Sequence, residues 1–585
     1  MRFEALAILF SELEATTKRL EMTDILSSFF ENIKKSNDFK DLDKIIYLLQ
    51  GQLVSNIKQF PKIGIAENTI IEALNIHSTI KKEKIKEILR KTGDIGATAE
   101  FILNKKNGQK YMLNYISYFS KTESSLEISE LYNAMQKIAY SEGTGSHDTK
   151  IGILRELMSK TSPLETKYLL RIITSTLRVG VSTMTIIDGL ALGFTGERKN
   201  RDSVEKAFNL HPDLGDITII LAENGISAVE KIDIEYGVPI RMMLASRVPY
   251  GEIIEKLGSP LTVEYKLDGE RLQIHKEHEN VKLFSRRLLN ISEQYPDVCR
   301  VINENISANN VIMEGEVVAM DPFYEKMLPF QVLSKRRRKH DIDDIMKEVP
   351  VCLFLFDILK CENESYLSKS FLIRRKKLGE IVTERDELRL VKSKTIKNTE
   401  EMLDFFNEAR REGNEGIMAK SIKDNSVYQA GNRGFLWIKL KGLEGGKLKD
   451  SVDVVLVGAF HGKGRRTGSY GTYIGAVYDP ISGKFIAFTR FFSGLTDELS
   501  ESLTKDIEKY IAKKKPNNVI CEDKPDVWLE PEVVIEIIGD EITISEKFLT
   551  LGYSMRFPVF QKFRPEKGPE DITTVNEIDE LYKSQ

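Results

Sequence analysis

From Met1 to about Ser227 apolar residues return every three or four positions, as in "ILSSFFENIKK" and "LLRIITSTL", and glycine is sparse away from the joints between these runs. That period is helical, so an all-helical segment is expected. The opening "MRFEALAILFSELEATTKRL" belongs to it, because Glu4, Glu12 and Glu14 interrupt the apolar run and make it an amphipathic helix rather than a signal peptide. From about Asp233 to Leu443 the period changes. Short β-branched and aromatic runs ("LTVEYKL", "VIMEGEVVAM", "VCLFLFDIL", "FLWIKLK") alternate with helical stretches such as "NTEEMLDFFNEARREG", the texture of a mixed α+β domain. After "GLEGGKLKD" come period-two strands with glycine-marked turns, "VDVVLVGAF", "GTYIGAVYD" and "EVVIEIIG". These suggest a small, mostly β barrel carrying one helix around "ELSESLTKDIEKYIAKKK". The expected chain is therefore multidomain: helical over 1–227, α+β over 228–447 and a β-barrel over 448–585.

Composition agrees with several cores in series. At 585 residues the chain exceeds one ordinary core, since a domain takes roughly 100–200 residues. Charged residues at 30% and apolar ones at 41% fit a folded globular protein and exclude a disordered or membrane class. The net charge of -3 gives no global pull on a polyanion, so nucleic-acid binding would have to use local basic patches. One such block is "SKRRRKHD" (Ser334 to Asp341), read as a solvated helix face, a localisation-like patch or a contact to phosphate backbone. Cys299, Cys352, Cys361 and Cys521 show no C-x-x-C spacing, which argues against a disulfide framework or structural zinc. A reducing, cytoplasmic location is expected, with no membrane partner, because no run of about 18 apolar residues occurs.

Candidate chemistry begins where strands carry charge they should not need. In "VEYKLDGERLQIH" a strand from Leu261 to Asp268 would send Leu261, Val263, Tyr265 and Leu267 to one face and Glu264, Lys266 and Asp268 to the other. Gly269 then ends the strand and Arg271 follows. Alone, this is also how a charge-protected edge strand looks. Other apolar strands carry similar insertions: "VIMEGEVVAM" places Glu314 and Glu316 on one face, where a carboxylate needs a cation or donor. "FLFDIL" puts Phe354 and Phe356 on one face, as core or as a platform for a planar base. "NEGIMAK" carries Glu415 and Lys420, and uninterrupted alternation would separate them, so Glu415 is expected at the start of its strand. "NRGFLWIKLKG" aligns Trp437, Lys439 and Lys441, with Arg433 just before. Cations from separate segments converging near carboxylates describe a nucleotide-phosphate and metal site.

The ordered set "EYKLDGER", "FSRR…YPDV", "EGEVVA", "LFDIL", "EGIMAK", "WIKLK" and "MRFPVFQKFRPEK" resembles the nucleotidyltransferase motifs of ATP-dependent DNA ligases, the archaeal replicative type related to eukaryotic DNA ligase I. "GSHDTKIGILRELM" and "LLRIITSTLRVGVSTMTIIDGLA" extend the resemblance into the helical part, so it covers nearly the whole chain. The resemblance implies a helical DNA-binding domain, an adenylation domain and a C-terminal OB-fold. It also implies sealing of nicked double-stranded DNA with ATP as AMP donor and magnesium as cofactor, in replication, repair and recombination.

By the same resemblance Lys266 is the nucleophile that forms lysyl-AMP, Glu264 accepts from the adenine amino group and Phe356 stacks on the base. Arg271 and Arg286 match ribose and phosphate contacts, Arg433 and Lys439 match phosphate-holding groups, and Lys420 and Lys441 belong to the nucleotide site. Glu316 and Glu415 match ribose or magnesium carboxylates, and Arg564 and Lys567 match the group orienting pyrophosphate. Glu566 stands where the family more often has aspartate. The attack requires a neutral amine from a lysine whose free pKa is about 10.4, and Arg271, Arg433, Lys439 and Lys441 are expected to disfavour the ammonium form. A basic loop at "FHGKGRRTGSYG" (Phe460 to Gly471) is a candidate DNA contact. "NGQKYMLNYI", with Gln109, Met112, Tyr115 and Ile116, loosely resembles a sliding-clamp-binding peptide, and a monomer is expected. An RNA-capping guanylyltransferase shares K-x-D-G but no large helical N-terminal part, NAD-dependent ligases carry a zinc-binding cysteine cluster missing here, and a DNA-binding scaffold would leave the ordered site unexplained.

Overall fold

The computed structural model describes all residues except 59, 62, 64, 114–125, 144, 338–341, 442–450, 463–467, 540 and 585. Tyr115 and Ile116, the end of the basic run (338–341) and the middle of the candidate basic loop (463–467) lie outside the described residues, as do the side chains of Gln109 and Met112. The chain divides into two compact units, one of Met1–His77 with Gly108–Leu443, the other of Ser78–Asn107 with Glu444–Gln585. Among the described residues no helix is long and apolar enough to cross a membrane.

The first unit opens in helices because the apolar stripe of each is buried against another. In helix Phe3–Glu14 the residues Phe3, Leu6, Leu9, Phe10 and Leu13 are buried at three- and four-residue spacing. Each fully buried side chain of this size contributes about 1.5–3 kcal/mol. Helix Pro163–Ile173, which it packs on, starts at a capping box in which Ser162 and Glu165 satisfy each other's backbone N–H. The helical run ends with Ile226–Val229.

Two sheets follow in the same unit. Strands β1 (Leu244–Ser246), β2 (Leu261–Lys266), β3 (Glu270–Glu277), β4 (Asn280–Ser285), β5 (Asn310–Ala319), β6 (Val351–Cys361), β7 (Glu364–Ser365), β8 (Leu388–Leu390), β9 (Ser393–Ile396), β10 (Gly416–Ser421) and β11 (Arg433–Leu440) make them up. One has the order β1-β11-β10-β2-β9 and the other β4-β3-β5-β6-β7, with β8 joined to β6. Strand β2 stops at Lys266, shorter than the alternation predicts, but its expected apolar face is intact: Leu261, Val263, Tyr265 and Leu267 all enter the core with helix Thr399–Arg411. Asn398 starts that helix by accepting from the Glu401 N–H.

The second unit is strand-rich. Strands β12 (Val452–His461), β13 (Tyr470–Asp479), β14 (Lys484–Phe491), β15 (Ile511–Ala512), β16 (Val519–Ile520), β17 (Val527–Leu529), β18 (Val534–Ile538), β19 (Glu541–Ile544), β20 (Tyr553–Arg556) and β21 (Val559–Phe563) form it. The path β15-β17-β12-β13-β14-β16 carries β18 on β12, β21 pairs β18, and β19 pairs β20. Among the described residues this path is open. Where one helix is expected, the described residues after 450 hold two: Asp497–Glu508, and Val575–Lys583, which starts at a Thr574–Glu577 capping box.

Candidate active site

The two sheets of the first unit face each other across a cavity of about 640 Å³. From one sheet come Glu264 and Lys266 of β2, Met418 and Lys420 of β10, and Arg433, Trp437 and Lys439 of β11; from the other come Arg271 of β3, Glu316 of β5 and Phe356 of β6. The period-two alternation of β2 sends Glu264 and Lys266 to one face, and that of β11 sends Arg433, Trp437 and Lys439 to one face, and both faces line the cavity.

Lys266 lies against Glu415, with Nζ 2.6 Å from Oε2, and Lys441 reaches the same oxygen at 2.8 Å. Glu415 gets there because it precedes its strand. Its N–H donates to the Lys266 carbonyl, and Gly416 follows at φ 144°, where a Cβ would lie 2.1 Å from the Leu440 carbonyl oxygen. Burial alone would raise the Glu415 carboxyl, but Lys266 and Lys441 hold it down at about 2. Two neighbouring carboxylates go the other way: burial pushes Glu316 up against the pull of Lys266 and Arg271, and burial with the Glu415 charge pushes Asp268 up. Gly269 permits this crowding, since a Cβ there would meet the Val317 carbonyl oxygen at 2.3 Å and the Glu316 side chain at 2.8 Å.

Glu264 and Lys420 form a second pair at 2.5 Å, each side chain only 2% exposed. The ammonium is walled by the rings of Trp437, Phe371 and Phe356 at 4.3, 4.8 and 5.0 Å. Burial draws its pKa below the usual lysine value despite Glu264. Glu264 Oε1 is buried without a hydrogen-bond partner, and so is the indole N–H of Trp437. A buried acceptor and a buried donor, both unpartnered on the wall of a cavity floored by Phe356, suit a planar ligand with polar edges.

At the other side Arg271 donates to Glu314 at 2.7 Å and to the Met243 carbonyl at 2.8 Å, under the rings of Phe356 and Trp437. Arg286 and Arg287 are exposed and line the cavity. Lys439 is pushed down to about 8 by burial and by the charges of Arg247, Lys441, Lys266 and Arg433. Lys266 is thus one of the cations that act on Lys439, and it pairs with Glu415.

Arg564 and Lys567 belong to the second unit. There Arg564 pairs with Glu536 at 2.6 Å and Asp453 at 3.2 Å, and Lys567 with Asp453 at 2.6 Å. Glu566 binds the Arg564 Nε at 2.6 Å, so it works as an intramolecular counter-charge here.

Family comparisons show which family the chain belongs to. Residues 2–191 match the family model described as DNA ligase N terminus, 242–441 the ATP dependent DNA ligase domain, and 466–567 the ATP dependent DNA ligase C terminal region. The DNA ligase of Sulfolobus acidocaldarius is 42% identical over 100% of this chain and 98% of its own length, and that of Hyperthermus butylicus is 41% identical with the same coverage. The chain belongs to the ATP-dependent DNA ligase family. A solved structure titled Pmar-Lig_PreS3 covers 96% of the chain and 99% of its own at a TM-score of 0.58 and 18% identity, a likeness of fold.

In this ligase the expected residues Glu264, Lys266, Arg271, Arg286, Glu316, Phe356, Lys420, Arg433 and Lys439 all line one cavity. Glu415 and Lys441 attach to it through Lys266. Phe354, the alternative platform, packs into the core instead. Arg433 proves to be the first residue of β11, and Lys441 lies past its end. Sequence reasoning passed over Arg287, whose only signal was its neighbour in "FSRR", and placed Asp268 on the charged face of its strand without a role. Arg247, which acts on Lys439, has no motif to mark it.

Proposed function

We propose that this ligase seals nicks in duplex DNA in three phosphoryl-group substitutions, with Lys266 as the residue that carries AMP. Lys266 Nζ, after losing a proton to solvent, attacks the α-phosphorus of ATP, forming the N–P bond of lysyl-AMP and expelling pyrophosphate. A 5′-phosphate oxygen at the nick then attacks the AMP phosphorus and displaces Lys266, whose nitrogen takes a proton from solvent and leaves as the amine, and the 3′-hydroxyl displaces AMP while its proton leaves to solvent. Positioning and charge stabilisation carry such steps. The observation that supports this reading is that Lys266 lines one cavity with the unpartnered acceptor of Glu264 and the cations Arg433 and Lys439. Glu264 and Phe356 would take the base, Arg271 and Arg286 the ribose and phosphates, and Arg433, Lys439 and Lys441 the phosphates.

Among the described residues no group of three or more His, Cys, Asp or Glu is arranged to hold a metal ion by itself. Glu316 and Asp268 are pushed up by burial and by the nearby Glu415 charge, against the pull of Lys266. That fits magnesium, which binds through one or two carboxylates plus substrate phosphates, with Glu316 and Glu415 as its ligands here. When bound, it would neutralise phosphate charge.

The strand-rich segment over 448–585 is read as the OB-fold, with Arg564 and Lys567 engaging the nucleotide once Asp453 and Glu536 release them. The helical segment over 1–227, the adenylation segment over 228–447 and the OB-fold over 448–585 would share the grip on duplex DNA through phosphate contacts, so affinity should fall steeply with salt. A sliding-clamp contact through Gln109, Met112 and Tyr115 is supported by sequence pattern, and pull-down of a clamp by wild type but not by Gln109→Ala tests it.

Intact mass after incubation with ATP and magnesium tests the central claim. The wild type is expected to gain one AMP and lose it when nicked duplex is added, while Lys266→Ala gains nothing. A shift in Lys266→Ala, or one that nicked DNA does not discharge, would refute it.

A further inference from the structure

Strand β3 grips the segment that leads from the last helix of the helical region into β1. Arg271, Gln273 and His275 sit on one face of β3 by alternation, and each holds one position of residues 237–243. The Gly237 N–H donates to His275 Nδ1 at 3.0 Å, the Ile240 N–H donates to Gln273 Oε1 at 2.8 Å, and Arg271 donates to the Met243 carbonyl at 2.8 Å. Gln273 also donates through Nε2 to the Ile240 carbonyl at 3.3 Å, closing a two-way pairing between a side-chain amide and a backbone amide.

These contacts fix every rotor in the row. Because His275 Nδ1 accepts from Gly237, its ring proton is on Nε2, which donates to Gln273 Oε1 at 3.0 Å. Burial holds the ring neutral, with its pKa near 3. Gln273 Nε2 is then directed to the Ile240 carbonyl and to Glu314 Oε1 at 3.4 Å, and the other oxygen of Glu314 accepts from Arg271 at 2.7 Å. Gln273 and Glu314 are fully buried. On the far side the segment is tied to the helical region, where the Arg241 N–H donates to the Asn209 carbonyl at 2.8 Å at the end of helix Arg201–Leu210. At the near end Arg271 lines the cavity with its Nε buried and unpartnered.

We infer that Gln273 is a positioning residue of the nucleotide pocket: with Glu314 and His275 it locks residues 237–243 onto β3 and so aims the Arg271 guanidinium, leaving Nε for the ligand. The inference rests on the reading of this cavity as the ATP site. Gln273 touches no ligand itself; its effect passes through Arg271.

The test is the kinetics of AMP-adduct formation by the full-length protein, with ATP and magnesium, in Gln273→Leu, Glu314→Gln, Arg271→Ala and the double variant Arg271→Ala with Gln273→Leu. Positioning through Arg271 predicts a KM for ATP raised about tenfold in each single variant with kcat within about threefold. It also predicts that Gln273→Leu adds nothing once Arg271 is gone. Glu314→Gln keeps the shape of the row and carries the test if Gln273→Leu does not fold. A double variant whose KM is the product of the two single effects would overturn the relay, as would a wild-type KM in Gln273→Leu or Glu314→Gln beside a raised one in Arg271→Ala. A wild-type KM in Arg271→Ala would instead remove the nucleotide reading of the pocket and the relay with it.

Discussion

Glu264 and Lys266 stand two residues apart on one face of β2, and each meets an opposite charge from the β10 segment, yet the fold treats the two pairs differently. Glu264 and Lys420 are both 2% exposed and closed in by three rings, whereas Lys266 and Glu415 are 20% and 16% exposed and share an oxygen with Lys441. The antiparallel register explains why both pairs form, since Gly416 lies opposite Lys266 and Lys420 opposite Thr262, so a Glu-to-Lys order along each strand meets its complement on the other. Depth explains their difference. A caged ion pair has no alternative partner and its parts stay fixed, which suits the base recognition proposed for Glu264; an open pair with a third charge can exchange partners, which suits the nucleophile role proposed for Lys266.

Breaking the closed pair should have the largest effect. Lys420→Met leaves the Glu264 carboxylate buried without its cation, a change expected to cost about 3–5 kcal/mol. It should lower the thermal unfolding midpoint and cut adduct formation about a hundredfold. Calorimetry and intact mass on the same sample check both. Full stability with full activity would show that the pair is not the fixed element of the pocket.

Breaking the open pair should separate stability from chemistry. Glu415→Gln removes a carboxylate that is 16% exposed and shared by two lysines, so it is expected to cost about 1–3 kcal/mol, less than the closed pair, while adduct formation slows roughly tenfold because Lys266 and Lys441 lose their common anchor. A loss of stability as large as that of Lys420→Met would erase the distinction between the two pairs.

The sequence showed which faces carry charge but not what each charge would meet. Period-two alternation was enough to put Glu264 and Lys266 on the cavity side and Leu261 and Val263 in the core, because that information is local to β2. The route of Glu415 into the site was half legible, as a residue expected at the start of its strand; the positive φ of Gly416 that completes it depends on Leu440, more than twenty residues away. The aromatic cage of Lys420 draws on Phe356, Phe371 and Trp437 from three separate segments, so no local pattern could announce it, and the same holds for Gln273 and Ile240. The helix Val575–Lys583 is a different case, since "TVNE" carries the capping-box signature and was within reach.

The smallest effect expected is a pH dependence, and it sharpens the comparison from outside both pairs. Lys439 shares the cavity but has no carboxylate at ion-pair distance among the described residues, and burial with the charges of Arg247, Lys441, Lys266 and Arg433 brings it down to about 8. Its folded value lies below its unfolded one, so between pH of about 8 and about 10.4 the unfolded chain binds more protons than the native one. Over that window stability should rise with pH, and the cost of holding the charge is fully present below it. Function should move the other way. A phosphate-holding ammonium is lost as pH passes about 8, so the KM for ATP should climb a few-fold from pH 7 to pH 9. Lys439→Arg, whose guanidinium stays charged throughout, should flatten that climb. An unchanged climb in the arginine variant would assign the titration to another group and leave Lys439 as a bystander to the phosphates.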